Sequence, residues 1–475
     1  MAEEARAAEA TKHVVVVGGG IHGAQAPTPS VAAAPRGRAA PLGRSRAGAG
    51  GACARAARPD ASPSPCLAPA AGACNTHAHA HARTHAPHAP HAGCSAAYHL
   101  CQRGARVTLL EREPRVASAA SGQAGGFLAR DWGDGATSEL HEKSFAMHKE
   151  LAEALGVASY RAIPTLSVRQ GRRDDTRVEA PWLDGDVSSA KLMDAPDATA
   201  QVTPLELTQK LAEAAAALGC TIRTGVRVVG VHRDGKGGAV SAVRCVAEAA
   251  DAEEESLECD AVLVAAGVWS TVTSEWFGLG RGAWPLTGIK STHVVWRARK
   301  AVAESPYALF CGEDANGCHL EVYPRPSGDV YVCGIGGSDY VEGDRLREGG
   351  DCAAPSMVAA NPSRVQAAQR SLSAITSEAD GAPDEVGACM RPCAPDARPL
   401  MGAVPGVANA YVSAGHNCWG ILWAPISGKA MAELILDGKS SVADLAAFAP
   451  DRFLPEAQRG GRGRKQGDTA VGEQW

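Results

Sequence analysis

No stretch of this sequence reaches 18 consecutive apolar residues, which argues against a membrane-spanning helix. Neither sign of charge is in excess: 47 Lys and Arg stand against 52 Asp and Glu, a net charge of −5. Such a balance gives no footing for a nucleic-acid or membrane-surface partner. The opening MAEEARAAEATKH lacks the apolar core of a secretion signal and the Arg/Ser bias of a transit peptide. The final VGEQW is not a peroxisomal ending. The expectation is a cytoplasmic protein, with a plastid or another organelle left open. There is no G-x-S-x-G and no H-E-x-x-H, so neither a serine-hydrolase elbow nor a zinc-protease helix is present. Cysteine is not scarce, at 15 residues, but the thiols are scattered without metal-ligand spacing. They read as reduced thiols, and no metal site is expected.

What is present begins at Val14. VVVVGGGIHG is a buried strand running into G-x-G-x-x-G, with glycines at 18, 20 and 23. Such a turn needs a helix at once, because the helix N-terminus supplies the N–H groups and dipole that hold a pyrophosphate. No helix is legible after Gly23. One appears at residue 94, where CSAAYHLCQRGARVTLLERE reads as a helix, a turn at Gly104 and a strand Arg106–Leu110 ending at Glu111. Joining Gly23 to Cys94 restores a complete strand–turn–helix–strand unit. Its acid then lies near the spacing of about 20 residues expected of a ribose-binding carboxylate. Residues 24–93 are Ala-, Pro-, Gly- and Arg-rich and end in alternating His and Ala. Text of this kind cannot bury enough apolar surface to offset its chain entropy, so a disordered insertion is expected. It reads as an unspliced intron, with a genuine insertion as the alternative.

Further on, periodicity predicts helices over 138–155, 203–219 (Thr203 as N-cap, Gly219 as stop), 361–378 and 428–436. Strand texture fills 221–233, 239–247 and much of 284–340, and 260–270 reads as a buried strand running into a Gly turn. The fold class that fits is α/β: a Rossmann-like domain with an interleaved mixed-sheet α+β substrate domain. The expected division gives residues 12–23 and 94–158, 203–275 and 386–445 to the dinucleotide domain. It gives 159–202 and 276–385 to the substrate domain, and leaves 446–475 as a tail.

Three later stretches carry chemistry. SGQAGG (121–126) offers backbone donors that glycine lets approach closely, or else a plain flexible loop. AAGVWS (265–270) ends a second buried strand. GHNCWGILWAP (415–425) sets His and Asn before an apolar run that core packing alone does not explain. Arg391, in CMRPCAPDARPLMG, has a guanidinium fork suited to a carboxylate, although a surface ion pair would explain it equally well.

Together these motifs resemble the D-amino-acid oxidase, glycine oxidase and sarcosine oxidase family of FAD-dependent enzymes. SGQAGGFLARDW further resembles a little-characterised eukaryotic branch of oxidoreductases within it. The resemblance implies FAD as cofactor and a Rossmann-like FAD-binding domain. Gly18, Gly20, Ile21 and Gly23 would hold the pyrophosphate; Glu111 and Arg112 would take the adenosine, and the Val226 backbone would meet the adenine. It also implies that Ser121, Gln123, Gly125 and Gly126 lie near the flavin, and that Ala266, Gly267 and Trp269 form the second cofactor turn. Gly415, His416, Asn417, Gly420 and Ile421 would run along the ring, with His416 and Asn417 in the catalytic group. Arg391 would clamp a substrate carboxylate. Cys389 stands where sarcosine oxidases bond flavin covalently, and Tyr323 and Lys290 are further candidates in the substrate domain. The implied reaction oxidises an amine or amino acid to an imine by hydride transfer to flavin, with oxygen reduced to peroxide. The alternatives are a flavin-binding regulatory or trafficking protein with little turnover, or a dehydrogenase using another electron acceptor. A small-molecule amine is the only partner implied, and the oligomeric state is open.

Overall fold

The computed structural model describes residues 11–18, 91–171, 180–195, 197–235, 238–249 and 251–455. In chain order they form β1 (His13–Val17), α1 (His91–Gln102), β2 (Arg106–Leu110), α2 (Ala120–Gln123), β3 (Phe127–Ala129), α3 (Ser138–Leu155), β4 (Arg161–Ala162), β5 (Thr165–Arg169), β6 (Ser189–Leu192), β7 (Thr199–Gln201) and α4 (Pro204–Ala217). Next come β8 (Thr221–Arg223), β9 (Val226–Arg233), β10 (Val240–Ala247), β11 (Glu254–Glu258), β12 (Ala261–Val264), α5 (Ser270–Thr273), β13 (Thr287–Trp296), α6 (Lys300–Glu304), β14 (Ala308–Cys311) and β15 (Glu321–Pro324). The last are β16 (Val330–Cys333), β17 (Asp339–Val341), α7 (Pro362–Ile375), β18 (Glu385–Cys393), β19 (Leu400–Ala403), β20 (Ala410–Ala414) and α8 (Gly420–Asp437).

The first sheet has the order β19-β20-β12-β1-β2-β8 and is parallel except at β19. The valine run of β1 is unbroken because both faces of the sheet are covered. Val14 and Val16 enter the core under α1, α4 and α8, whereas Val15 and Val17 enter the core shared with the β9–β10–β11 meander. All four are at most 1 % exposed, and each contributes roughly 1.5–3 kcal/mol by leaving water. With β2 on one side of β1 and β12 on the other, strand order reverses at β1. The carboxyl ends of β1 and β12 therefore flank a crevice.

The second sheet runs β17-β13-β16-β15-β14-β5-β6, with β18 also paired to β13. One of its faces packs on α7, where Ala367, Ala368, Leu372 and Ile375 meet Val294, Trp296, Val322 and Val332. The other face looks toward the 120–126 segment. A small sheet β3-β7-β4 joins the two regions. Among the described residues no helix is long and apolar enough to cross a membrane.

Several expectations needed correction. The helix expected from residue 94 starts at His91, three residues inside the supposed insertion; the rest of 24–93 lies outside the described residues, as do Gly20, Ile21 and Gly23. The helix expected over 428–436 begins eight residues earlier, at Gly420, and runs through Pro425. Proline removes one i→i−4 donor, so the Ile421 carbonyl would lack its partner. His148 replaces it: its Nε2 lies 3.0 Å from Ile421 O and 3.1 Å from Leu422 O. The domain boundary at 386 is also displaced, because β18 pairs with β13 from Glu385 to Cys393 and belongs to the second sheet. The expected tail starts too early, since Phe448 and Leu454 are 1 % and 2 % exposed. Segment 121–126 is not simply a loop; its first residues form α2. The 138–155 helix agrees residue for residue, the one expected over 203–219 is α4 (Pro204–Ala217), and Gly219 at φ +97° follows it as its stop. Thr203 is the N-cap, but its side chain makes no cap bond.

Candidate functional site

The crevice is built from strand ends. Gly18 N donates to Leu110 O at 2.7 Å, so the chain leaves β1 directly beside the end of β2. Helix α1 points its N-terminus at the same place. Gly93, in its first turn, lets it approach: a Cβ there would lie 3.4 Å from both Val16 Cγ1 and Ala265 Cβ. Ser121 Oγ accepts from His91 N at 2.9 Å, which ties the 120–126 segment to that helix end. At the end of β2, Glu111 is 3 % exposed, with Oε1 accepting from Glu113 N at 3.0 Å. Its own carbonyl accepts from Val226 N at 2.9 Å, and this brings the buried Val226 to the crevice rim. Arg112 is not laid over an open surface; Nε bonds Glu248 Oε1 and Nη1 bonds Ala353 O, both at 2.8 Å.

Opposite, Ala266 and Trp269 are buried, Gly267 turns the chain at φ +57°, and Trp269 Nε1 donates to Cys352 O at 3.0 Å. The third wall is the 415–421 segment. Asn417 sits at φ +50°, a conformation asparagine tolerates, and its Oδ1 accepts from Cys393 Sγ at 2.9 Å. That bond fastens the loop to the end of β18. His416 is 5 % exposed, with Nε2 3.1 Å from Ser427 Oγ; burial pushes its pKa down to about 4. It is neutral at pH 7 and bound to α8, an anchoring position rather than that of a proton donor. Gly415 and Ile421 are buried and Gly420 half-buried on the same stretch.

The 120–126 segment lies between the crevice and the second sheet. Gln123 O accepts from Tyr331 OH at 2.8 Å, and Gly125 sits against the Tyr323 and Tyr331 rings. Gly126 has φ +84°, and a Cβ on it would fall 1.8 Å from Val202 O. Replacing Gly126 with alanine is therefore expected to cost about 3–5 kcal/mol, as left-handed strain adds to a backbone collision. Urea unfolding checks this; a loss below about 0.5 kcal/mol, the usual surface effect, contradicts the packing described.

Register assigns the sheet face. Ile289, Ser291 and His293 stand opposite Arg391, Cys389 and Gly387, and Tyr331 and Cys333 opposite Tyr323 and Glu321. Arg391 is half-buried, and Nη1 donates to Cys418 Sγ at 2.7 Å. Among the described residues no carboxylate lies within ion-pair distance of it, so the surface-ion-pair reading fails. Tyr323 shares this face. Lys290 does not: it projects from the opposite side to Asp339, at 2.9 Å. Cys389 lies on the site face, where burial pushes its thiol up to about 11.

Sequence reasoning missed Glu321, Cys418 and His293. His293 is 3 % exposed, stacks on Tyr331 at 5.1 Å and 20°, and is held neutral by burial at about 4. The absent side chain of Gly387 makes room for it, since a Cβ there would be 2.5 Å from its ring. Alternation within EVYPRP (321–326) was the available signal for Glu321. Among the described residues no cluster of His, Cys, Asp and Glu could hold a metal.

A switch-point crevice with a glycine-assisted helix end, a buried acid closing the second strand and an arginine on a facing sheet fit a dinucleotide-dependent enzyme of the α/β class. The FAD-dependent oxidoreductase (DAO) family matches residues 91–434. "Putative oxidoreductase C1F5.03c" of Schizosaccharomyces pombe is 25% identical over 382 residues, covering 73% of this chain and 91% of that protein. Glycine oxidase of Bacillus subtilis is 24% identical over 397 residues, covering 76% and 94%. The crystal structure of glycine oxidase from Bacillus cereus superposes with a TM-score of 0.58 at 22% identity, covering 74% and 94%. The chain belongs to the FAD-dependent oxidoreductase (DAO) family. The residues present fit that cofactor: the helix end admitted by Gly93 suits a pyrophosphate, and Glu111 suits ribose hydroxyls.

Proposed function

We infer that this protein oxidises the C–N bond of an amine or amino acid. Arg391 is the observation that carries the reading: a guanidinium on the sheet face beyond the 120–126 segment, bonded to a thiol and to no carboxylate among the described residues. A planar fork so placed suits a carboxylate on two oxygens. Two similar proteins are named glycine oxidases, and glycine offers such a carboxylate. Bound FAD supplies the two-electron acceptor for the hydride on the carbon next to nitrogen. The chain's own contribution is orientation. Arg391 fixes one end of the substrate, Asn417 holds the 415–421 loop to β18, and Tyr331 holds the 120–126 segment through Gln123 O. Burial and the neighbouring Glu321 hold Tyr323 far above its usual pKa, so its phenol stays a donor. Glu111 and Val226 would receive the adenosine, and Ala266, Gly267 and Trp269 would close the second turn. Dioxygen is the proposed final acceptor, with peroxide as product.

The test is anaerobic mixing of the FAD-loaded chain with amino acids and N-methyl amines, followed by admission of air. Bleaching of the flavin absorbance by at least one amine, with return of colour and peroxide in air, is the expected result. Reduced flavin that persists in air assigns a different acceptor. Bound FAD that no amine bleaches removes the enzymatic reading in favour of a regulatory flavoprotein.

A further inference from the structure

The sheet face that carries Arg391 also carries a carboxylate with no assigned task. Glu321 stands directly opposite Phe310 on one neighbouring strand and Cys333 on the other. Tyr323 OH at 2.6 Å and Cys333 Sγ at 3.3 Å both donate to the same oxygen, Oε2. Oε1 receives no hydrogen bond among the described residues, and it is not sealed in the core. The carboxylate is thus held in place by one oxygen and open at the other.

Around it is an aromatic wall. The Phe310 and Trp132 rings are 5.1 Å apart, and Trp132 meets Trp419 edge-on at 6.1 Å. All three rings are half-buried, so each keeps a surface toward solvent. Trp419 follows Cys418, the residue bonded to Arg391, so the wall extends from the acid toward the guanidinium. Burial opposes the charge on Arg391, whereas the bond to Cys418 and the negative charge of Glu321 favour it. Glu321 and Arg391 therefore feel one another, yet among the described residues no ion pair joins them. Two partly desolvated charges left unneutralised are costly, and a ligand bearing the complementary charges would relieve both. An alkylammonium gains further from aromatic faces, whose quadrupoles attract a cation.

We propose that Glu321 is a specificity-determining residue that takes a second, cationic nitrogen of the substrate against the Phe310, Trp132 and Trp419 rings, so that dibasic amino acids are the favoured substrate class. This rests on the Arg391 clamp described above. The competing explanation is that Glu321 is only a hydrogen-bond acceptor for Tyr323 and Cys333. Glu321→Gln separates the two, because an amide oxygen still accepts both bonds while the charge is gone.

The experiment compares lysine and ornithine, both enantiomers, with their neutral isosteres norleucine and norvaline on the FAD-loaded full chain. The expected result is a kcat/KM at least about tenfold higher for the dibasic partner, carried mostly in KM. In Glu321→Gln the dibasic-over-neutral preference shrinks to within about threefold. A second measurement does not depend on turnover: calorimetric binding of 6-aminohexanoate and hexanoate under anaerobic conditions. The amine is expected to bind at least about tenfold tighter, an advantage of about 1.4 kcal/mol that Glu321→Gln removes. If no amino acid bleaches the flavin but this binding preference persists, the oxidation reading fails and the Glu321 assignment stands. Equal binding of the two acids, binding of neither, or a preference that survives Glu321→Gln overturns the assignment.

Discussion

Arg391→Ala is expected to lower kcat/KM for the amino-acid substrate by about 10²–10³-fold while leaving the FAD content unchanged. The magnitude follows from removing one member of a desolvated charge pair, which costs about 2–5 kcal/mol because the partner charge is left without its fork. FAD content should hold because Arg391 sits on β18 of the second sheet, whereas the crevice is lined by the ends of β1, β2 and β12. Arg391→Lys should fall between the two, since an ammonium keeps the charge and loses the paired geometry. The loss should appear chiefly in KM if the clamp binds ground and transition states alike. Steady-state kinetics beside the flavin absorbance of each variant decide it. Unchanged kinetics in Arg391→Ala would remove the clamp, and with it the main support for an amino-acid substrate.

Excising residues 24–93 should tighten FAD binding at least about tenfold, the equivalent of about 1.4 kcal/mol. The junction replaces the first turn of α1: Ile21-His22-Gly23 takes the place of His91-Ala92-Gly93 ahead of Cys94. Glycine is retained where the helix approaches Val16 and Ala265, so the packing contact survives. What changes is the path between Gly18 and the helix. Gly18 and His91, which sit at the crevice, are separated along the sequence by 72 residues in the full chain and by two in the shortened one, where Gly19 and Gly20 would join Gly18 to Ile21; closing the shorter connection around a pyrophosphate carries the smaller entropic cost. Titrating FAD into both forms and reading the flavin spectrum measures the difference. Equal affinities would make the segment a tolerated insertion, and a shortened chain that takes up no FAD would refute the assignment of the crevice.

Local signals were legible where local physics decides structure. The valines of β1, the helix–turn–strand of 94–111 and the 18 residues of α3 follow from periodicity, and the structure shows them within a few residues. Reading failed where a distant residue intervened. The last helix was expected only over 428–436, because nothing local shows that His148, on another helix, meets the Ile421 carbonyl that Pro425 leaves without a donor. Residues 386–393 read as part of the first domain because nothing in their own text names β13 as their partner. Lys290 and Tyr323 looked alike as candidates, and only strand register puts the tyrosine with Arg391 and turns the lysine to Asp339.

The sequence by itself determined the class of cofactor. A buried strand, a glycine-rich stretch, a helix and an acid at the end of the next strand become consecutive once residues 24–93 are set aside, and local pattern alone identifies each of them. The substrate side was decided by the tertiary structure. Glu321, His293, Arg391 and Cys418 come from segments up to a hundred residues apart or more, and their meeting depends on pairing register. A shift of one residue would turn each strand's side chains to the opposite face.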